Sequence, residues 1–163
     1  VAVEGQYYHN LKPDELGEGE TGGQKSISVY FMDPGKRITM TLDAQGKVTS
    51  LALHGDRSAW SLAHGLSLGT SLSRLAAWNG RPVRIHAFDS SERRGRVVDW
   101  GRGALGQELA GVRLTLASPF RAPGYGRLNG TQKLEVEKDR DFSSSDPEML
   151  HLDPWVETIE IGR

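Results

Sequence analysis

Apolar and polar residues alternate through most of the segment from Ser26 to Leu53. A period of two puts every second side chain on the same face of a β-strand. Two turn sequences, DPGK at 33–36 and DAQG at 43–46, interrupt the alternation, and their Asp, Pro and Gly residues favour reversal of the chain. The segment therefore predicts a β-meander of three antiparallel strands. The residues predicted to share a face within each strand are Ile27, Val29 and Phe31; Ile38, Met40 and Leu42; and Thr49, Leu51 and Leu53.

The segment before the meander has a different character. Residues 1–25 lack an apolar period, and glycine alternates with acidic residues within DELGEGETGG at 14–23. A segment without regularly spaced apolar side chains has no face to bury, so we expect 1–25 to be a loop-rich N-terminal segment.

One short helix is predicted within GLSLGTSLSRLAAWNGRP at 65–82. Thr70 or Ser71 supplies a hydroxyl that accepts a bond from a free amide at the start of the helix. Asn79-Gly80 provides a left-handed stop, and Pro82 follows just beyond it. The apolar side of the helix, which we expect to pack on a sheet, consists of Leu72, Leu75 and Trp78.

The alternating pattern returns after the helix. RPVRIHAF at 81–88, GRVVDW at 95–100 and VRLTLAS at 112–118 each predict a strand, and glycines in GRGALG at 101–106 separate the last two. These strands would form a second meander. In the first of them, one face is predicted to hold Val83, Ile85 and Ala87, and the other Arg84, His86 and Phe88.

The C-terminal part has weaker patterns. QKLEVE at 132–137 predicts a strand, and WVETIEI at 155–161 predicts a closing strand. Between them, SSDPEML at 144–150 predicts a capped helical turn, because Pro147 suits the first helical position.

These elements predict an α+β fold of mainly antiparallel β-meanders, with one short helix packed on a sheet face and an arrangement in tandem helix-meander units. The chain has 163 residues and no low-complexity linker, which predicts a single domain over 1–163.

Composition limits the classes of function. The net charge is -1, so a strongly basic nucleic-acid binder is not expected. The chain has no cysteine, which excludes disulfides, zinc-thiolate sites and thiol nucleophiles. No stretch approaches the roughly 20 apolar residues that a transmembrane helix needs.

The string GTSLxxLxxxNGxP at 69–82 is distinctive. Together with GEGE at 17–20 and GKVTSLALHG at 46–55, it resembles a group of uncharacterised bacterial exported proteins, many of them described as lipoproteins. More remotely, the short helix entering a meander is similar to the repeating unit of small outer-membrane-assembly lipoproteins and of β-lactamase-inhibitor proteins, which bind proteins. The resemblance implies a periplasmic or outer-membrane-attached protein whose signal has been removed. It also implies that Val1 lies partway into the first unit of a longer precursor; a leaderless precursor would instead make the protein cytoplasmic.

Sequence patterns single out no catalytic residue, cofactor site or metal site. The five histidines do not have the spacing that places two metal ligands on one helix face. Ser67 in GLSLG is the nearest imitation of a nucleophile elbow, but a polar segment rather than a buried strand precedes it. A hydrolase would need polar residues that converge only in three dimensions.

One charged segment is the candidate contact for a partner. DSSERRGR at 89–96 lies between two predicted strands, where the resembling proteins have an aromatic turn, and we expect an exposed hairpin tip. Neutralising Arg93 and Arg94 would weaken binding to an anionic partner, most strongly at low salt; if the tip is an ordinary solvated turn, nothing changes. The candidate residues are Asp89, Glu92, Arg93, Arg94 and Arg96.

The leading hypothesis is a non-enzymatic exported domain that binds a protein or an envelope component. A hydrolase and a small-molecule-binding protein are the alternatives. A deep cavity with converging polar groups would favour the alternatives, whereas an exposed aromatic surface would favour binding to a partner.

Overall fold

The computed structural model describes residues 16–21, 24–30, 33–88 and 94–162. These residues form two antiparallel sheets and several short helices, so the predicted α+β class is confirmed. The strands are β1 (Leu16–Thr21), β2 (Gln24–Val29), β3 (Ile38–Leu42), β4 (Val48–His54), β5 (Arg84–Ile85), β6 (Val97–Asp99), β7 (Val112–Leu116), β8 (Phe142–Ser143) and β9 (Val156–Gly162). The α-helices are α1 (Leu72–Asn79), α2 (Leu105–Glu108), α3 (Gly130–Val136) and α4 (Pro147–Leu152).

The first meander is confirmed. β2, β3 and β4 pair in order, with Ile27 opposite Met40 and Met40 opposite Leu51. The turn at 43–46 forms because Asp43 Oδ1 accepts bonds from the main-chain N–H groups of Gln45 and Lys47, at 3.0 and 2.8 Å. Phe31 lies outside the described residues.

The loop predicted over 1–25 is wrong for its last part. Residues 16–21 form β1, which pairs along its whole length with β2, from Leu16 opposite Val29 to Thr21 opposite Gln24. Main-chain groups make the ladder of a sheet, so a strand at a sheet edge does not need an apolar face of its own. Charged side chains are common on edge strands because they discourage pairing with another chain. Residues 1–15 lie outside the described part.

The predicted helix is α1. Ser71 caps it, because the Ser71 hydroxyl accepts a bond from Arg74 N at 3.3 Å, and Gly80 ends it in the left-handed conformation at φ +67°. The Thr70 hydroxyl instead accepts a bond from Ser67 N. Asp153, at the end of α4, reinforces the start of α1 by accepting a bond from Ser73 N at 2.8 Å. The predicted apolar side packs into the core through Leu72 and Leu75, which are buried, and Trp78, which is partly buried.

Replacing Leu75 by alanine is expected to lower the free energy of unfolding by about 2 to 5 kcal/mol, because the side chain is fully buried and its loss leaves a cavity. Urea denaturation measures the change. Leu150→Ala is the control, since Leu150 is 64% exposed. A loss below about 1 kcal/mol for Leu75→Ala would contradict the packing of α1 into the core.

The second predicted meander does not form as a unit. β5 and β6 pair with each other in a three-stranded sheet of order β6-β5-β8, whereas β7 joins the large sheet, whose order is β1-β2-β3-β4-β9-β7. The closing strand β9 therefore lies between β4 and β7. A bridge between Arg96 and Thr115 connects the two sheets. Phe88, predicted on the polar face, is only 6% exposed because the regular alternation ends with β5 at Ile85.

The strand predicted at 132–137 is wrong, because these residues lie in and just after α3. A capping box starts this helix: Asn129 Oδ1 accepts a bond from Gln132 N at 2.9 Å, and Gln132 Oε1 accepts one from Asn129 N at 3.0 Å. An Asn followed by Gln three residues later is a start signal that outweighs two alternating apolar residues.

The helical turn at Pro147 is confirmed as α4. In the described part of the chain, no helix is both long and apolar enough to cross a membrane.

Candidate functional site

A surface cleft of about 390 Å³ opens beside the predicted contact segment. It lies where three separated parts of the chain meet: the residues around β5 and β6, the turn after β7, and the end of α3. Phe88, Pro119 and Val136 are the buried apolar residues of this cleft, whereas Arg94, Phe120 and Glu137 are exposed. We call it the Arg94 cleft, and the residues that line it are Phe88, Arg94, Ser118, Pro119, Phe120, Val136 and Glu137.

The candidate contact residues that the structure describes, Arg94 and Arg96, differ in exposure. Arg94 is exposed and lines the cleft. Arg96 is only half-exposed, and its Nε is buried with no hydrogen-bond partner among the described residues, so this residue is less exposed than predicted for the tip. The cause is the main-chain bridge from Arg96 to Thr115, which holds this part of the segment against β7. Asp89, Glu92 and Arg93 lie outside the described residues.

Phe120 is the most exposed aromatic residue of the cleft, at 64%. Its ring lies 5.0 Å from the ring of Tyr125, and Lys133 Nζ lies 5.1 Å from the centre of the Tyr125 ring. The adjacent Arg121 is ion-paired with Asp56 and Glu157. An exposed aromatic side chain is thus presented on a turn that the rest of the fold holds in place.

Gly95 shapes the buried side of the cleft. It adopts φ +64°, and a Cβ at this position would lie 2.8 Å from Leu116 O and 2.9 Å from Phe88 Cε1. Leu116 N also donates a bond to Gly95 O at 2.9 Å, so the main chain at Gly95 is fixed against β7. The absence of a side chain at residue 95 leaves room for the Phe88 ring, which packs 6.0 Å from the ring of Phe142.

The histidines occupy separate places on the surface. His64 Nε2 bonds to Glu108, and His86 Nδ1 bonds to Asp141 at 2.7 Å. His54 Nδ1 lies 3.2 Å from the Thr158 hydroxyl. A catalytic triad needs a hydroxyl, a histidine and a carboxylate in one chain of hydrogen bonds. Across the described residues, no histidine bonds to both a hydroxyl and a carboxylate, and no group of three metal-ligating side chains is present.

A second cleft of about 480 Å³, more open than the first, lies next to the buried side chain of Asn79. The Asn79 side chain makes three hydrogen bonds: Nδ2 donates to Arg81 O at 3.0 Å and Trp100 O at 2.7 Å, and Oδ1 accepts from Leu105 N at 3.2 Å. These bonds tie the end of α1 to the turn before α2. Gly103 packs against this amide so closely that a Cβ would lie 2.1 Å from Asn79 Oδ1. The lining residues are Val98, Asp99, Trp100, Arg102, Gly103, Gly106 and Gln107.

Comparison with known proteins gives no family for this chain. It matches no protein-family model, no curated protein and no solved structure. The resemblance of 69–82 to exported bacterial proteins therefore stays a hypothesis, and so does the location that it implies. A proposal about function therefore rests on the geometry and the charges of the clefts.

Proposed function

We propose that this protein is a non-enzymatic exported domain that binds another protein, and that the Arg94 cleft is its contact surface. The observation that carries the proposal is the exposed Phe120 beside the exposed Arg94, over the buried Phe88 and Val136. Aromatic residues and arginine are enriched at protein interfaces, where a few such residues supply most of the binding energy.

The charges of the cleft favour an acidic partner segment. Arg94 makes no ion pair with any described residue, so its guanidinium is available to a carboxylate of a partner. An apolar side chain of the same segment would pack on Phe88 and Phe120. A phosphate-bearing envelope component would pair with Arg94 but would leave the apolar surface of the cleft unused, which favours a protein.

The hydrolase alternative is supported by two histidine–carboxylate pairs. His86–Asp141 and His64–Glu108 each have the arrangement in which a carboxylate orients a general base. Neither histidine makes a hydrogen bond with a hydroxyl among the described residues, so a hydrolytic reaction would need a nucleophile from elsewhere, such as a bound water. Binding of a partner at the Arg94 cleft requires no such group.

A photo-crosslinking amino acid at residue 120 tests the proposed contact. Position 150 is the matched control, because Phe120 and Leu150 are each 64% exposed. In a bacterial cell-envelope extract, we expect one discrete protein to be crosslinked from residue 120 and not from residue 150. Equal patterns from both positions, or crosslinking only to lipid or polysaccharide, would contradict a protein contact at this cleft.

Arg94→Ser is expected to weaken that crosslink most strongly at low salt, because charge attraction is screened as ionic strength rises. Thermal stability should stay nearly unchanged, since an exposed charge contributes little to folding. Arg127→Ser is the control, because Arg127 is also exposed but lies outside the cleft. Equal effects of the two substitutions would show that net charge, and not Arg94, governs binding.

A further inference from the structure

The chain contains two Asn-Gly pairs, Asn79-Gly80 and Asn129-Gly130. In such a pair the main-chain nitrogen of glycine attacks the side-chain amide carbon of asparagine. A carbon–nitrogen bond forms, the bond to the side-chain nitrogen breaks, and ammonia leaves a five-membered succinimide. Water then opens the ring to aspartate or to isoaspartate, so the reaction needs no other reactant. It does require a free side-chain amide and a free glycine nitrogen.

Asn79 meets neither requirement in the folded chain. Asn79 is 2% exposed, and its side-chain amide makes three hydrogen bonds with the main chain of Arg81, Trp100 and Leu105. The attacking nitrogen is also engaged, because Gly80 N donates to Ala76 O at 3.0 Å. The reaction at Asn79 therefore requires the opening of a buried part of the fold.

Asn129 lies in the opposite environment. The residue is exposed, and its Nδ2 has no partner among the described residues. The nitrogen of Gly130 is not bonded to any described group. One bond to the side chain, from Gln132 N to Asn129 Oδ1 at 2.9 Å, holds the amide in place. Breaking a single exposed hydrogen bond costs far less than opening a buried network.

We propose that Asn129 is a site of spontaneous deamidation in the folded protein and that Asn79 is protected from it. The reaction also bears on the Arg94 cleft, because α3 starts beside Asn129 and its other end provides Val136 and Glu137. An aspartate at 129 keeps the oxygen that accepts from Gln132 N. An isoaspartate lengthens the main chain by one carbon and moves the carboxylate, so the capping box is lost.

Peptide mapping by mass spectrometry tests the site. After incubation of the full folded chain at mildly alkaline pH, we expect a mass increase of about 1 Da on the Asn129 peptide, forming at least about tenfold faster than on the Asn79 peptide. In urea the two peptides should react at similar rates, because each asparagine is followed by glycine. Similar rates in the folded chain, or no reaction at Asn129 under conditions that modify both sites in urea, would overturn the proposal.

Gly130→Ala is the matched variant. A Cβ at residue 130 meets no atom within 4 Å and the glycine has an ordinary helical φ, so alanine fits there while its side chain hinders the attacking nitrogen. The reaction at 129 should fall sharply while the folded state is kept. The separated isoaspartate form should melt at a lower temperature than Asn129→Asp. Equal melting temperatures would show that the modification leaves α3 intact, and would overturn that part of the proposal without touching the proposed function.

Discussion

Replacing Gly124 by alanine is expected to lower the free energy of unfolding by about 5 kcal/mol or more, or to prevent folding altogether. A Cβ at residue 124 would lie 1.6 Å from His151 O and 2.8 Å from Leu152 Cα. Both are main-chain atoms of α4, so no side-chain rotation relieves the overlap, and the turn at 125–127 would have to separate from α4. Circular dichroism and urea denaturation measure the loss.

Gly126→Ala is the control for this substitution. Gly126 lies in the same turn, but a Cβ there meets no atom within 4 Å, so we expect a change of at most about 0.5 kcal/mol. Equal stability of the two variants would show that the turn does not pack on α4 as described.

Replacing Asn79 by alanine is expected to lower the free energy of unfolding by about 3 to 6 kcal/mol, because Trp100 O and Leu105 N lose a partner within the protein. Urea denaturation again measures the change. The nuclear magnetic resonance signals of residues 100–105 should shift more than those of the β2–β4 meander, since Asn79 holds this turn directly.

Asn129→Ala is the comparison for Asn79. Asn129 is an exposed capping residue, and loss of such a cap costs about 1 kcal/mol. If Asn79→Ala were as mild as Asn129→Ala, the three bonds of Asn79 would not contribute to stability as the structure indicates.

The elements that the sequence predicted correctly have short-range causes. Asp43 turns the chain by bonding to residues two and four positions away, and Ser71 caps α1 from three positions away. β1 was missed because its sequence has no apolar alternation, although its main chain pairs with β2 along its whole length. α3 was missed because Leu134 and Val136 alternate as they do in a strand, whereas a capping box at Asn129 starts a helix here.

Asn79 shows which structural features a local sequence pattern predicts and which it does not. The Asn-Gly pair correctly predicted the left-handed end of α1, since that conformation depends on the residues themselves. The burial of the Asn79 side chain depends on partners 21 and 26 residues away, at Trp100 and Leu105. No pattern within 69–82 contains that information.

The Arg94 cleft could not be predicted for the same reason. The charge of 89–96 predicted an exposed tip that contacts a partner, and that contact stays a prediction, whereas the cleft that Arg94 lines is seen only in the structure. Phe120 and Val136 come from segments whose sequences give no sign that they meet Arg94. The long-range pairing of the sheets brings these segments together, so the apolar part of the cleft emerges only with the tertiary fold.

The central position of β9 has a consequence for synthesis. β9 lies between β4 and β7. Thr158 of β9 pairs with His54 of β4, which is 104 residues away along the chain. Until the ribosome has made residues 156–162, the edges of β4 and β7 that β9 will cover have no partner strand. Early folding of β4 therefore cannot complete the sheet. Pairing across so long a separation is slow, and open edges attract other chains. We expect a molecular chaperone that shields strand edges to raise the yield of this protein more than it would raise that of a meander closed by neighbouring strands.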